Sequence, residues 1–230
     1  MTAKSISKHH LIPVLIILAI TAIAYPIFRG TMPIEFTPSG ALANWWGFWG
    51  GIILGHWVMF GLIAWHLKKT GEGWASIGLD PGFFKRHRFW LGGILVILII
   101  AAFVVPDLYY KEGLPKKSFS HPFGPVSTGQ RLFWILASLT AGITEEVIFR
   151  GFALTRFTRL FKSRWLAIPI PFVTFMWLHG TSALTDPTLA IPYAAATAFF
   201  VLAFTLLKHR RLEILIIIHA IVDLSFVLAP

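Results

Sequence analysis

Six ionisable side chains stand inside otherwise apolar stretches of this 230-residue chain: Glu145, Glu146, Arg150, His179, His219 and Asp223. A charge in such surroundings is costly, so each requires an account. Carboxylates and imidazoles together can do general acid–base work, bind a metal ion or relay protons. In Thr144-Glu145-Glu146-Val147-Ile148-Phe149-Arg150 the two carboxylates are adjacent. On a helix they point about 100° apart and face different partners. Glu146 and Arg150 are i, i+4 and can pair on one face. That leaves Glu145 as the free carboxylate, and a carboxylate in a low-dielectric site is suited to act as a general base. The same residues also suit a buried ion-pair cluster that fixes helix register. His219 and Asp223 are again i, i+4, so Asp223 can accept from an imidazole nitrogen of His219 and set its tautomer.

These groups need elements to hold them, and the composition says which. The chain is 56% hydrophobic and 13% charged, with 20 Lys+Arg against 10 Asp+Glu. A soluble domain carries about a quarter charged residues to cover its surface. Seven apolar windows approach the roughly 18–20 residues needed to cross a bilayer. They run Leu11–Phe28, Leu42–Trp65, Phe89–Val105, Leu132–Leu154, Trp165–Ser182, Ala190–Leu207 and Leu212–Leu228. Backbone groups in lipid must bond internally, so the spans are helical. The expected fold is all-α, a polytopic membrane helix bundle forming one embedded unit. Residues 1–73 would be N-terminal transmembrane helices, and 74–230 a core that carries the chemistry. Lys4 and Lys8 precede the first run, and Ala22-Ile23-Ala24 has the look of a cleavage site. The run continues to Phe28, which favours a retained helix.

Basic residues divide unevenly between alternate loops. Fourteen fall on one side, from Lys4 to Arg211, and five on the other, namely Arg29, Lys111, Lys116, Lys117 and Arg131. The positive-inside rule then puts the N-terminus in the cytoplasm. It also accounts for the net charge of +10 without nucleic acid, which is not an expected partner; the lipid bilayer is. With no cysteine there is no disulfide, no thiolate ligand and no cysteine nucleophile. Gly47, Gly51 and Gly55 place small residues on one face of the second span, where a neighbouring helix is expected to approach. His56 beside them reads as a hydrogen-bonded core histidine, since nothing acidic lies at i±3 or i±4. Measured along their helices, Glu145 and His219 lie roughly 16 and 12 Å from the basic edge. His179 comes to a similar level if its helix begins near Pro171. The six groups can therefore share one cavity.

Three motifs in order, Glu145-Glu146-x3-Arg150, Phe175-x3-His179 and His219-x3-Asp223, resemble those of the CPBP family. These are the CAAX-protease and bacteriocin-processing intramembrane proteases, also called Abi proteins. The likeness runs from about Trp74 to the C-terminus. It implies hydrolysis of a peptide bond in a peptide or protein substrate at the membrane, in a multi-pass protein of a prokaryotic plasma membrane. Glu145 and His179 would activate water, His219 and the residue at 223 would stabilise the oxyanion, and Glu146 and Arg150 would hold the site in shape. The third motif commonly ends in Asn, where this chain has Asp223. The family is described both as metal-dependent and as metal-independent glutamate proteases. A divalent ion such as zinc, held by Glu145, His179 and His219, and no cofactor at all both remain open. Competing classes are a transporter, in which the same groups relay protons, and a partner-binding scaffold. No symmetry between halves of the sequence marks a transporter. The substrate is not legible.

Overall fold

The structure, a computed structural model, describes residues 11–20, 42–97, 124–125, 127–180 and 182–228, together with residues 35, 37 and 100. Among these residues the regular elements are helical and no strand is present. They are α1 (Leu11–Ala19), α2 (Trp45–Lys69), α3 (Pro81–Arg86), α4 (Arg88–Ile97) and α5 (Thr128–Phe161). Then come α6 (Pro169–Leu178), α7 (Ser182–Thr185), α8 (Pro187–Leu206) and α9 (Leu212–Leu228). A 3-10 turn, Trp74–Ile77, lies between α2 and α3. Two of the helices, α2 and α5, are long and apolar enough to cross a membrane. The first and third expected spans coincide with α1 and α4 in their N-terminal parts. The rest of each, apart from Ile20 and Ile100, lies outside the described residues.

The central element is α5. Ser127 opens it with a capping box: its hydroxyl accepts from the Gln130 backbone, and the Gln130 side chain accepts from the Ser127 backbone. Over Glu146–Leu154 the winding widens to a π-helix, and all nine side chains there are buried. A helix buried on every side must be apolar all round unless its polar groups are paired. Here two are charged, and the site grows around them. Lys162, with φ of 53°, ends the helix.

Two helices lie along α5 and set its neighbours. At the crossing with α9, a Cβ on Gly142 would fall 2.9 Å from both Ala220 Cβ and Ala220 N. The missing side chain lets the backbones come close enough for Glu145 and His219 to meet. On another side α2 presents Trp45, Phe48, Ile52, His56, Met59 and Ile63, a buried stripe at helical spacing. The Trp57 indole N–H donates to Thr140 Oγ1 at 3.2 Å and fixes the register of α2 on α5. Among the described residues, the glycine face of α2 does not meet a neighbouring helix as expected at Gly47 and Gly55. Gly47 and Gly55 are exposed, and a Cβ at Gly55 would meet nothing within 4 Å. The bulky stripe buries more apolar area per turn, so it takes the inward face.

The expected fifth span is interrupted. Its helical part, α6, has ten residues and rises about 15 Å, half the hydrocarbon thickness. Pro169 occupies its first turn, and the chain leaves the helix at His179 and Gly180, where φ is 93°. Beside it α8 runs antiparallel: Thr197 Oγ1 lies 3.5 Å from Met176 Sδ, and the Tyr193 ring 4.8 Å from that of His179. Arg164 donates to the Thr205 carbonyl at 3.1 Å, which brings the start of α6 and the end of α8 to the same end of the bundle.

The segment after α2 joins them there. Glu72 pairs with Arg156 at 2.9 Å and Arg159 at 3.2 Å. Burial alone would raise its carboxyl, yet these guanidiniums hold it below the ordinary carboxylate range. Gly78 accepts from Leu212 N at 3.0 Å; with φ of 84° and a virtual Cβ 2.6 Å from the His209 carbonyl, it tolerates no side chain. Three basic segments therefore share one end, and α5, α6 and α9 carry the ionisable groups inward from it.

Overpacking at the α5–α9 crossing gives a first prediction. Gly142→Ala should lower stability by about 1–3 kcal/mol, read as a fall in melting temperature of the purified protein in detergent. An unchanged melting temperature would contradict the close approach.

Candidate active site

Glu146 and Arg150 are both fully buried. The Arg150 guanidinium lies 3.0 Å from Glu146 Oε1 across one helical turn, in a contact that is ionic rather than a well-aligned hydrogen bond. Its flat faces are covered by aromatic rings: Phe175 of α6 at 4.0 Å from the centroid, and Phe200 of α8 at 5.3 Å. Ring quadrupoles thus replace part of the hydration that the cation has lost. His219 of α9 completes the arrangement, with Nδ1 2.7 Å from the same Glu146 oxygen. An N–H there donates to the carboxylate, which fixes the ring and turns Nε2 the other way.

Nε2 of His219 points at two further carboxylates, Glu145 Oε2 at 3.7 Å and Asp223 Oδ2 at 3.6 Å. The spacing anticipated Asp223 as the group that sets the tautomer of His219; the hydrogen-bond partner is Glu146, one full helix away. It wins because its oxygen is held rigidly by Arg150, whereas Asp223 reaches Nε2 only at ion-pair distance. Glu145 is a different kind of carboxylate. It is 5% exposed, and among the described residues neither of its oxygens accepts a hydrogen bond. Oε2 stands off from His219, and Oε1 stands 3.6 Å from Nε2 of His56 on α2. Three carboxylates therefore gather around His219, one of them also paired with the Arg150 guanidinium.

His179 sits at the C-terminal end of α6, where its Nδ1 is 3.0 Å from the Phe175 carbonyl. An N–H at Nδ1 leaves Nε2 with its lone pair. Its ring packs against those of Phe175 and Tyr193. Thus α5, α6 and α9 supply the six residues singled out by type and spacing, and close contacts join Glu145, Glu146, Arg150, His219 and Asp223 directly. As placed, no three His, Asp or Glu side chains among the described residues form a set able to hold a metal ion, so Glu145, His179 and His219 do not fit one in this arrangement.

Residues 127–225 match the family model of type II CAAX prenyl endopeptidase Rce1-like proteins. The C-terminal part of this chain is thus similar to that family. The match begins at the cap of α5 and ends just beyond Asp223, so it contains all six residues and bears out the resemblance read from the three motifs. Neither a curated protein nor a solved structure matches the chain.

Spacing within single helices does not reveal what lies around these residues. From its own helix, which offers no acid, His56 reads as a core histidine, yet its Nε2 faces a carboxylate on α5. The rule that an ionisable group in an apolar span needs an account applied to it equally. The aromatic walls Phe200 and Tyr193 carry no signal of their own in an apolar run.

Removing either member of a buried pair strands the other. Glu146→Gln and Arg150→Ala should each cost about 3–5 kcal/mol. Arg150→Lys should recover little of it, since an ammonium has no flat face for Phe175 and Phe200. Thermal melting of the three variants in one detergent checks this, and a wild-type melting temperature for Arg150→Lys would refute the stacking account.

Proposed function

We propose that this protein is an integral membrane endopeptidase of the CAAX type, hydrolysing a peptide bond of a membrane-associated or prenylated substrate. The observation that carries the reading is the contrast between two adjacent buried carboxylates. Glu146 is engaged by Arg150 and His219, while Glu145, inside the same cluster, accepts no hydrogen bond among the described residues. A general base must have a free lone pair within reach of the proton it removes. The family description of the matched segment supports the same class of reaction.

In this mechanism Glu145 takes a proton from a water molecule, with Nε2 of His179 as a second acceptor for that water. The water oxygen attacks the scissile carbonyl carbon, and the carbonyl becomes an oxyanion. His219, held at Nδ1 by Glu146 and carrying a proton on each ring nitrogen as an imidazolium among carboxylates, donates from Nε2 to that oxyanion. An ionised Asp223 cannot donate, so it serves by orienting His219. Collapse of the tetrahedral species breaks the C–N bond, and the proton held by Glu145 passes to the leaving amine. The competing transporter reading has one feature in its favour, the break at the end of α6, since interrupted helices line transport sites. Cleavage decides between them.

The proposal extends to topology. The chain would cross the membrane seven times, the fifth crossing lying over Trp165–Ser182, with the basic end cytoplasmic and a catalytic core from about residue 74. A prokaryotic plasma membrane as its location rests on the family resemblance.

The decisive experiment is cleavage of a farnesylated, internally quenched peptide ending in a C-a-a-X box by purified protein. Glu145→Gln should lower turnover by about 100-fold or more while melting like wild type, because amide and carboxylate are similar in size. Wild-type turnover in folded Glu145→Gln protein would sink the assignment. For topology, single cysteines can be introduced without background. Ser118→Cys should react with an impermeant maleimide on intact cells, and Ser163→Cys only after the inner face is opened; the reverse pattern would overturn the orientation.

A further inference from the structure

We infer that His56, on α2 and outside the Rce1-like segment, is a positioning residue of the same site: it steadies one oxygen of Glu145 so that the other meets the substrate. The inference rests on the reading of Glu145 as the base. The other members of the inward stripe of α2 around it, Phe48, Ile52, Met59 and Ile63, are apolar. A histidine among them is 4% exposed and carries a desolvation cost that leucine would not. What the imidazole has that leucine lacks is a nitrogen facing a carboxylate: Nε2 lies 3.6 Å from Glu145 Oε1.

The neighbouring residue makes that register specific. The Trp57 indole donates to Thr140 Oγ1, and Thr144, next to Glu145, donates its hydroxyl to the Thr140 carbonyl at 2.7 Å. Any slip of α2 along α5 that moved His56 off Glu145 would break the Trp57 bond as well. The two imidazoles then divide the carboxylate. Oε1 faces His56, and Oε2 faces His219 Nε2, the proposed oxyanion donor, which is the side where the scissile carbonyl must lie. At 3.6 Å the His56 contact is longer than a hydrogen bond, and catalytic contacts of this kind tighten when substrate is bound. An N–H at Nε2 fixes the carboxylate torsion and leaves Oε2 as the basic atom.

The test is kcat and KM on the farnesylated peptide, with melting temperature, for wild type and for His56→Leu, His56→Met, His56→Gln, Met59→Leu and Glu145→Gln. Both apolar variants at His56 should lose about 10- to 100-fold in kcat, the scale of a misplaced catalytic group, with KM little changed. His56→Gln retains an N–H donor at similar reach and should recover most of that loss, while Met59→Leu, a volume-conserving change one turn away, should behave as wild type. Wild-type kcat in a folded apolar variant would overturn the inference. So would rate losses in both apolar variants that match no more than their loss of folded protein, which would make His56 a packing residue. Glu145→Gln separates the two readings: if it still cleaves, the base assignment fails; if it is silent while His56→Leu is fully active, the role of His56 alone fails.

Discussion

Everything in this structure turns on the cost of burying the Glu146–Arg150 pair. Moving two charges out of water costs several kcal/mol each, and their mutual attraction repays this only when the surroundings complete the solvation. Three other helices contribute to that repayment. Phe175 comes from α6, Phe200 from α8 and the His219 imidazole from α9, all converging on one turn of α5. An apolar side chain would tolerate many packings of similar energy; a buried guanidinium tolerates few. On the proposed reading the pair acts as a register device, and the helices that satisfy it bring the groups of the site into fixed relation.

The same pair creates a difference between two residues that are chemically identical. Glu146 begins the widened turn of α5 and Glu145 ends the regular helix before it. Adjacent positions on a helix face different neighbours, so engaging one carboxylate in the scaffold leaves its neighbour outside the pairing. Gly142, one turn before them, lets α9 approach closely, and Ala220 meets it beside His219. Packing and chemistry are therefore one constraint here. A bulkier residue at the crossing would push His219 away from both glutamates together.

The parts of this arrangement that were legible in the sequence are those written within a single helix. Glu146 with Arg150 and His219 with Asp223 follow from i, i+4 spacing, and the bounds of α9 follow from an apolar run between Arg211 and Ala229. What crosses from one helix to another was not legible. His219 bonds to Glu146 across 73 residues of sequence, and no local pattern says which of two nearby carboxylates it will choose. His56 meets Glu145 for the same reason, invisibly to its own helix. The early end of α6 was not legible either, because hydropathy measures apolarity and not winding: residues 165–182 are apolar nearly throughout, yet the helix stops at Leu178. The π-helical turn is similarly silent, since every residue in it is buried and no amphipathic period exists to betray a change of pitch. The glycine ribbon shows the opposite error. Small residues permit close approach without compelling it, and the stripe of large side chains on the same helix offered more area to bury.

Asp223 is where this chain departs from the third motif it otherwise resembles, and the geometry explains how the departure can be accommodated. An imidazole has two nitrogens, and Glu146 engages Nδ1 of His219. Nε2 is left to face Glu145 Oε2 and Asp223 Oδ2 at nearly equal distances, 3.7 and 3.6 Å. An asparagine at 223 would offer an oxyanion its own N–H and share the task of donation with His219. An aspartate, ionised, offers only oxygen, so donation falls to His219 alone, and the ring must be held more firmly to do it. The contacts needed for that are present: Glu146 fixes Nδ1, Phe200 lies 5.1 Å from the ring, and Asp223 attracts Nε2 from one turn further along α9. On the proposed reading, the carboxylate at 223 exchanges a direct donor for tighter control of the one that remains, at a site where Arg150 already balances part of the added negative charge.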